Sequence, residues 1–190
     1  MRLRTNALLA AAALLVVGGG VFYSLNSKDH YDPSKYSATI TPATASTSTP
    51  GQAKSGLQKG SRVELTLPDQ FDAPKTIGPD VETLVLAFSK GAGGTVRNYL
   101  DKQEAEYWVS HNAIFIADIS PIPVVIRNTL ALPKLRKSSY STLLLYEDEM
   151  SKALKRNAQG DLISIAKLKD NVVQSVRYIK TEAELASIFQ

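Results

Sequence analysis

The sequence predicts an α/β fold: a three-layer sandwich around a mixed central sheet. Three observations carry this. Leu84-Val85-Leu86-Ala87-Phe88 is apolar at every position, as in a strand buried on both faces. A second short apolar run, residues 113–118, follows one helix-length later, which makes a parallel pair through a right-handed crossover. Two β-prone runs near the end, 162–168 and 172–179, flank Lys169-Asp170-Asn171 and read as an antiparallel hairpin.

The front of the chain has a different character. Arg2 and Arg4 precede Ala7-Leu8-Leu9-Ala10 and a continuing uncharged stretch that ends only at Lys28. About twenty such residues suffice for one membrane span and also match a signal peptide. The apolar run lacks a following Ala-x-Ala site, and Phe22 and Tyr23 stand where interfacial aromatics anchor a span. Both features favour a retained anchor over residues 1–26, with membrane contact through 7–23. With the two arginines inside, the remainder lies outside the cytoplasm, as in a single-pass bacterial inner-membrane protein with a periplasmic domain. The alternative is a chain secreted after cleavage.

Residues 27–60 are small and polar, rich in Ser, Thr and Pro around Thr39 to Gly51. Such composition buries too little apolar surface to offset ordering, so it predicts a flexible linker and places the folded domain at 61–190. The net charge of +4 belongs to this front part: Arg2, Arg4, Lys28, Lys35, Lys54 and Lys59 face only Asp29 and Asp32 there. Residues 61–190 carry 16 basic and 16 acidic side chains, so nucleic-acid binding, which draws on a basic face, is not expected. There is no cysteine, which excludes a disulfide framework, thiolate metal sites and dithiol redox chemistry.

Within the domain, Val63-Glu64-Leu65-Thr66-Leu67 alternates and meets Pro68, which predicts a half-buried edge strand. After strand 83–88, the glycine-rich stretch Gly91-Ala92-Gly93-Gly94 reads as a turn. A helix then spans 95–110, with Val96, Tyr99, Leu100, Tyr107 and Trp108 on its buried side and His111 at its end. Ser120-Pro121 reads as N-cap and first position of a helix that carries Ile122, Val125, Ile126 and Leu130 toward Pro133. Residues 141–146 form a third strand, 150–160 a helical turn or loop, and Thr181-Glu182-Ala183-Glu184 the capping box of a closing helix.

This order resembles the thioredoxin-like fold over residues 63–189. Leu84 to Phe88 is similar to the strand before that family's active-site motif, and Tyr140-Ser141-Thr142-Leu143 to its cis-proline segment. The resemblance implies a divergent member. Gly91-Ala92-Gly93-Gly94 stands at the Cys-x-x-Cys position and Ser141 at the cis-proline, so neither dithiol exchange nor a cysteine peroxidase reaction has its thiolate. It also implies a domain kept for binding or structure.

No catalytic residue, cofactor or metal set is singled out. The candidate anion or ligand site is Gly91, Gly93, Gly94 and Thr95 with Ser141. Its backbone amides would face a phosphate or carboxylate, and the plainer reading is a tight turn, since no P-loop lysine or dinucleotide motif accompanies it. Lys134, Arg136 and Lys137 are candidate partner-docking residues or simply helix-end cations. Glu147-Asp148-Glu149 lacks the alternation of a calcium loop. The expected partners are other envelope proteins, in a secretion, pilus or similar assembly. The alternative is an enzyme or small-ligand binder that uses the glycine turn.

Overall fold

The computed structural model describes residues 31–43 and 56–190. The expected anchor at 1–26 lies outside them, as do His30 and positions 27–30 and 44–55 of the expected linker. Among the described residues no helix is long and apolar enough to cross a membrane.

In chain order the elements are β1 (Ser37–Thr41), β2 (Arg62–Pro68), β3 (Pro74–Thr76), β4 (Thr83–Ala87), α1 (Lys90–Leu100), α2 (Tyr107–Ser110) and β5 (Ala113–Asp118). Helix α3 follows, starting as Val124–Ile126, widening to a π-helical stretch at Arg127–Ala131 and closing at Leu132–Leu135. Then come β6 (Leu143–Leu145), α4 (Asp148–Lys155), β7 (Ile163–Lys169), β8 (Val172–Ile179) and α5 (Glu182–Ala186). The sheet order is β1-β2-β8-β7-β4-β5-β6, with β3 paired to β2.

All five residues of β4 are buried. It pairs parallel with β5, Val85 opposite Phe115, and antiparallel with β7, Val85 opposite Ile165. Alternate side chains serve opposite cores. Leu84 and Leu86 join Leu65, Leu67 and Leu154, while Val85 and Ala87 join Val96, Trp108, Phe115 and Leu185 under α1, α2 and α5. A parallel βαβ unit, an antiparallel hairpin and a closing helix around one sheet make the fold thioredoxin-like, as expected.

The hairpin turn is read correctly from sequence: Asp170 and Asn171 both take positive φ, 51° and 62°, the two left-handed positions a type I′ turn needs. The closing capping box is present in both directions.

Four expectations give way. Residues 37–41, assigned to the linker, form β1 and pair with β2 through Ile40 opposite Val63. This makes β2 an interior strand and not an edge. The apolar Ile40 at a buried position supplies what the polar composition hid. Helix α1 begins at Lys90, so the glycines lie inside it, and it ends at Leu100, leaving Tyr107–Ser110 as a separate turn of helix. Ser120 does not cap α3: its N–H and Oγ–H both donate to Asp118 Oδ1 (3.0 and 2.7 Å), an Asx-type turn that delays the helix to Val124. The stretch left open as helical turn or loop takes the helical form, as a regular helix over Asp148–Lys155.

Asp72 joins four segments. It holds φ at 63°, a left-handed value that Asp tolerates. Its carboxylate accepts from Tyr146 OH (2.8 Å) and Arg136 Nη2 (3.1 Å), and its carbonyl accepts from Tyr36 OH (2.8 Å). Tyr31 stacks on both Tyr146 and Tyr36, at 4.4 and 5.3 Å between ring centres. The front of the described chain is thereby clasped to β6. Asp72→Ala should lower unfolding stability by about 2–3 kcal/mol, the scale of losing hydrogen bonds to a charged acceptor, read from urea midpoints. It should also speed amide exchange in residues 37–41; unchanged exchange there would show that the clasp does not hold β1.

Burial pushes five phenols up from their ordinary value: Tyr31, Tyr36, Tyr107, Tyr140 and Tyr146, with Tyr140 reaching about 12. A raised folded value favours the fold below the unfolded phenol's pKa of about 10, and the contribution fades as pH rises through the folded value. For Tyr140 the window is pH 10 to about 12. Stability measured by denaturant should fall across this window, and Tyr140→Phe should flatten part of the slope.

Candidate functional site

Strands β4 and β5 run parallel and deliver their carboxyl ends to one edge of the sheet. From β4 the chain passes through Phe88 and Ser89 into α1. Ser89 is extended (φ −138°, ψ 161°) and its Oγ accepts from the Ala92 N–H at 3.1 Å, so a serine N-cap starts this helix. From β5 the chain passes Asp118 and the Ser120 turn into α3. Between α1 and α3 the two exits leave a cleft of about 550 Å³.

Its floor is apolar, with Ala87, Phe115, Ala117 and Leu135. Its rim is apolar too where α3 presents Ile126 and Leu130, which are 48% and 66% exposed. Lys90, Arg97 and Lys134 also line it, and none has an ion-pair partner among the described residues. Asp118 is the one acidic residue in the lining among the described residues, and its charge is used internally. Besides Ser120, its carboxylate receives Ser151 Oγ (2.7 Å) and Lys155 Nζ (3.3 Å), and the side chain has no exposure. The cleft therefore offers apolar surface under a positive rim.

Arg127 fixes the α3 wall. It is 4% exposed, lies in the π-helical stretch, places its guanidinium 4.9 Å from the Tyr146 ring centre and donates from Nη1 to the Tyr146 carbonyl (3.3 Å). Burial lowers its pKa, and the Tyr146, Tyr31 and Glu147 groups around it act in the opposite sense. A π-helical turn widens a helix locally and recurs at functional sites. Here it covers Leu130 and Ala131, both in the cleft.

The candidate residues from sequence separate in space. Gly93 and Gly94 line the cleft with Lys134. Gly91 lies beside Asp161, whose carboxyl stands 3.7 Å from where a Cβ would be, so a carboxylate already faces the start of α1. Thr95 Oγ1 donates back to the Gly91 carbonyl (3.3 Å). Ser141 precedes β6, which runs parallel to β5, and so lies at the opposite edge of the sheet. The segment that meets the end of β4 is Asp161-Leu162, entering β7 antiparallel, with Leu86 opposite Ser164. The match of Ser141 to the cis-proline place is thus corrected, and the described residues contain no cis peptide bond.

Arg136 donates to Gln70 O (2.8 Å) and to Asp72, and of Lys134, Arg136 and Lys137 it is Lys134 that lines the cleft. His111 ends α2 with Nδ1 2.7 Å from the Tyr107 carbonyl. Trp108 is buried. Glu147 flanks the start of α4, Asp148 accepts from Ser120 Oγ and Glu149 pairs with Lys152. No group of three potential metal ligands gathers among the described residues. Sequence reading missed Lys90 and Arg97 as site residues; recognising Ser89 as an N-cap would have placed them seven apart on one helix face.

No family model matches the chain, and no curated protein sequence matches it. Among solved structures it is similar to the peroxidoxin BcpB from Mycobacterium tuberculosis, at 17% identity and TM-score 0.47, covering 70% of this chain and 96% of that one. It is also similar to a putative protein disulfide isomerase from Bacteroides thetaiotaomicron (17% identity, TM-score 0.46, 71% and 85% covered). A third is the thioredoxin domain of a thiol-disulfide oxidoreductase from Bacteroides vulgatus (10% identity, TM-score 0.45, 71% and 100% covered).

The local geometry of α1 has measurable consequences. Removing the cap with Ser89→Ala should cost about 1 kcal/mol. Gly94→Ala should stabilise by about 0.5–1 kcal/mol, because a helical glycine is replaced and nothing lies within 4 Å of the added Cβ. Urea midpoints of the two variants should move in opposite directions.

Proposed function

We propose that this chain is a non-redox thioredoxin-like binding module that docks a partner protein in the cleft between α1 and α3. One observation carries the reading: the carboxyl edge of the parallel strands, where α/β folds place their sites, holds an apolar cleft with exposed Ile126 and Leu130, in a chain without cysteine. Exposed apolar side chains over a preformed concavity mark docking surfaces.

The same proposal takes residues 7–23 as a membrane anchor and the domain as extracytoplasmic. The module then serves as a scaffolding component of an envelope assembly, in secretion, pilus biogenesis or a similar system. The basic start and uncharged run of the N-terminus support this part.

A second reading is favoured by Lys90, Arg97 and Lys134, which have no ion-pair partner among the described residues: a small anionic ligand held in the cleft. The readings separate by experiment. A photo-crosslinking residue at Leu130 in intact cells should capture a stoichiometric partner, while one at Val109, also exposed at 77% but away from the cleft, should not. Recovery of monomer alone from Leu130 counts against docking. Thermal stabilisation by a phosphorylated metabolite or nucleotide, abolished by Lys134→Ala, then establishes the small-ligand reading.

A further inference from the structure

We propose that the occupant of the cleft is an amphipathic helix of the partner, apolar on its docked face and acidic along its flanks; this rests on the protein-docking reading above. On α1, Lys90, Gly93, Gly94 and Arg97 follow the i, i+3, i+4, i+7 spacing that shares one helix face, and all four line the cleft. A cation thus stands at each end of a surface without side chains. The two are about 10 Å apart in helix rise. The glycines let another backbone approach closely, as in tight helix pairs.

On the facing wall, Ile126 and Leu130 stand one turn apart, exposed and apolar, and Lys134 follows a turn later. The charges therefore border the apolar surface on both walls. The cations are unpaired among the described residues, and Asp118 is saturated by Ser120, Ser151 and Lys155. Carboxylates are the complementary groups, and like charges would be rejected.

The sheet gives no support to an extended peptide here. β4 is paired to β5 and β7, and β5 to β4 and β6, so neither cleft strand has an open ladder for an incoming main chain. An extended peptide lying in an apolar cleft leaves its amides unpaired, which is costly. A helix satisfies its own.

The test measures fluorescence anisotropy of three labelled, designed peptides against the full chain. One is an amphipathic helix with glutamates beside its apolar stripe, the second has lysines in their place, and the third interrupts the acidic sequence with prolines. The acidic helix should bind tighter than either of the others by about tenfold or more, a difference of about 1.4 kcal/mol. Arg97→Glu with Lys134→Glu should shift the preference to the lysine peptide. Leu130→Glu and Gly94→Phe should each weaken the acidic helix, scored only in variants whose circular dichroism matches the parent; Leu130→Glu is an exposed change that keeps the test open if Gly94→Phe misfolds.

Equal binding of the proline-interrupted peptide overturns the helical occupant, and equal binding of the lysine peptide overturns its acidity. A partner crosslinked at Leu130 that presents no acidic helix overturns this inference and leaves the docking reading standing. Absence of any crosslinked partner together with stabilisation by a small anion overturns both.

Discussion

The structure depends on one constraint: β4 must be buried on both faces while its two neighbours run in opposite directions. Leu84 and Leu86 fill one core, Val85 and Ala87 the other, so a slip of one residue would exchange the two sets. The parallel neighbour requires a crossover, and α1 with α2 supplies it. The antiparallel neighbour requires only the Asp170-Asn171 turn to reach β8. The cleft is a by-product of this arrangement, since the exits from β4 and β5 diverge into helices that cannot close over the same edge.

What keeps that divergence open is polar. Asp118 pins the β5 exit to α4 through Ser151 and Lys155, and Arg127 pins α3 beneath Tyr146. Buried charges are stable only when surrounded by partners, and each partner set here fixes the angle of one wall. The cleft walls are therefore set by groups that do not themselves offer charge to an occupant. The groups that do, Lys90 and Lys134, are exposed at the rim.

Local signals made much of the fold legible. The unbroken apolar run of β4, the hairpin turn and the Thr181–Glu184 capping box each lie within a few residues, and the structure forms all three. Non-local ones were hidden. β1 is a five-residue strand in a Ser/Thr-rich stretch, and only its pairing with β2 makes it a strand. The glycines of α1 read as breakers because their propensity is poor, yet Ser89 and the packing of Ala92 and Val96 outweigh it. Ser141 was set against the glycines because linear order does not reveal at which edge of a sheet a segment arrives. The cleft itself was only half legible: its position followed from the parallel strands, but Lys90, Arg97, Ile126 and Leu130 meet only in three dimensions.

The clasp of Tyr31 and Tyr36 on Tyr146 bears on the order in which the molecule forms. Those rings lie far apart along the chain, and the entropy of bringing them together is met only once β6 and the Asp72 loop are already in place. On contact-order grounds the strap is expected to form after the centre of the sheet, because its rings close the longest loop in the clasp.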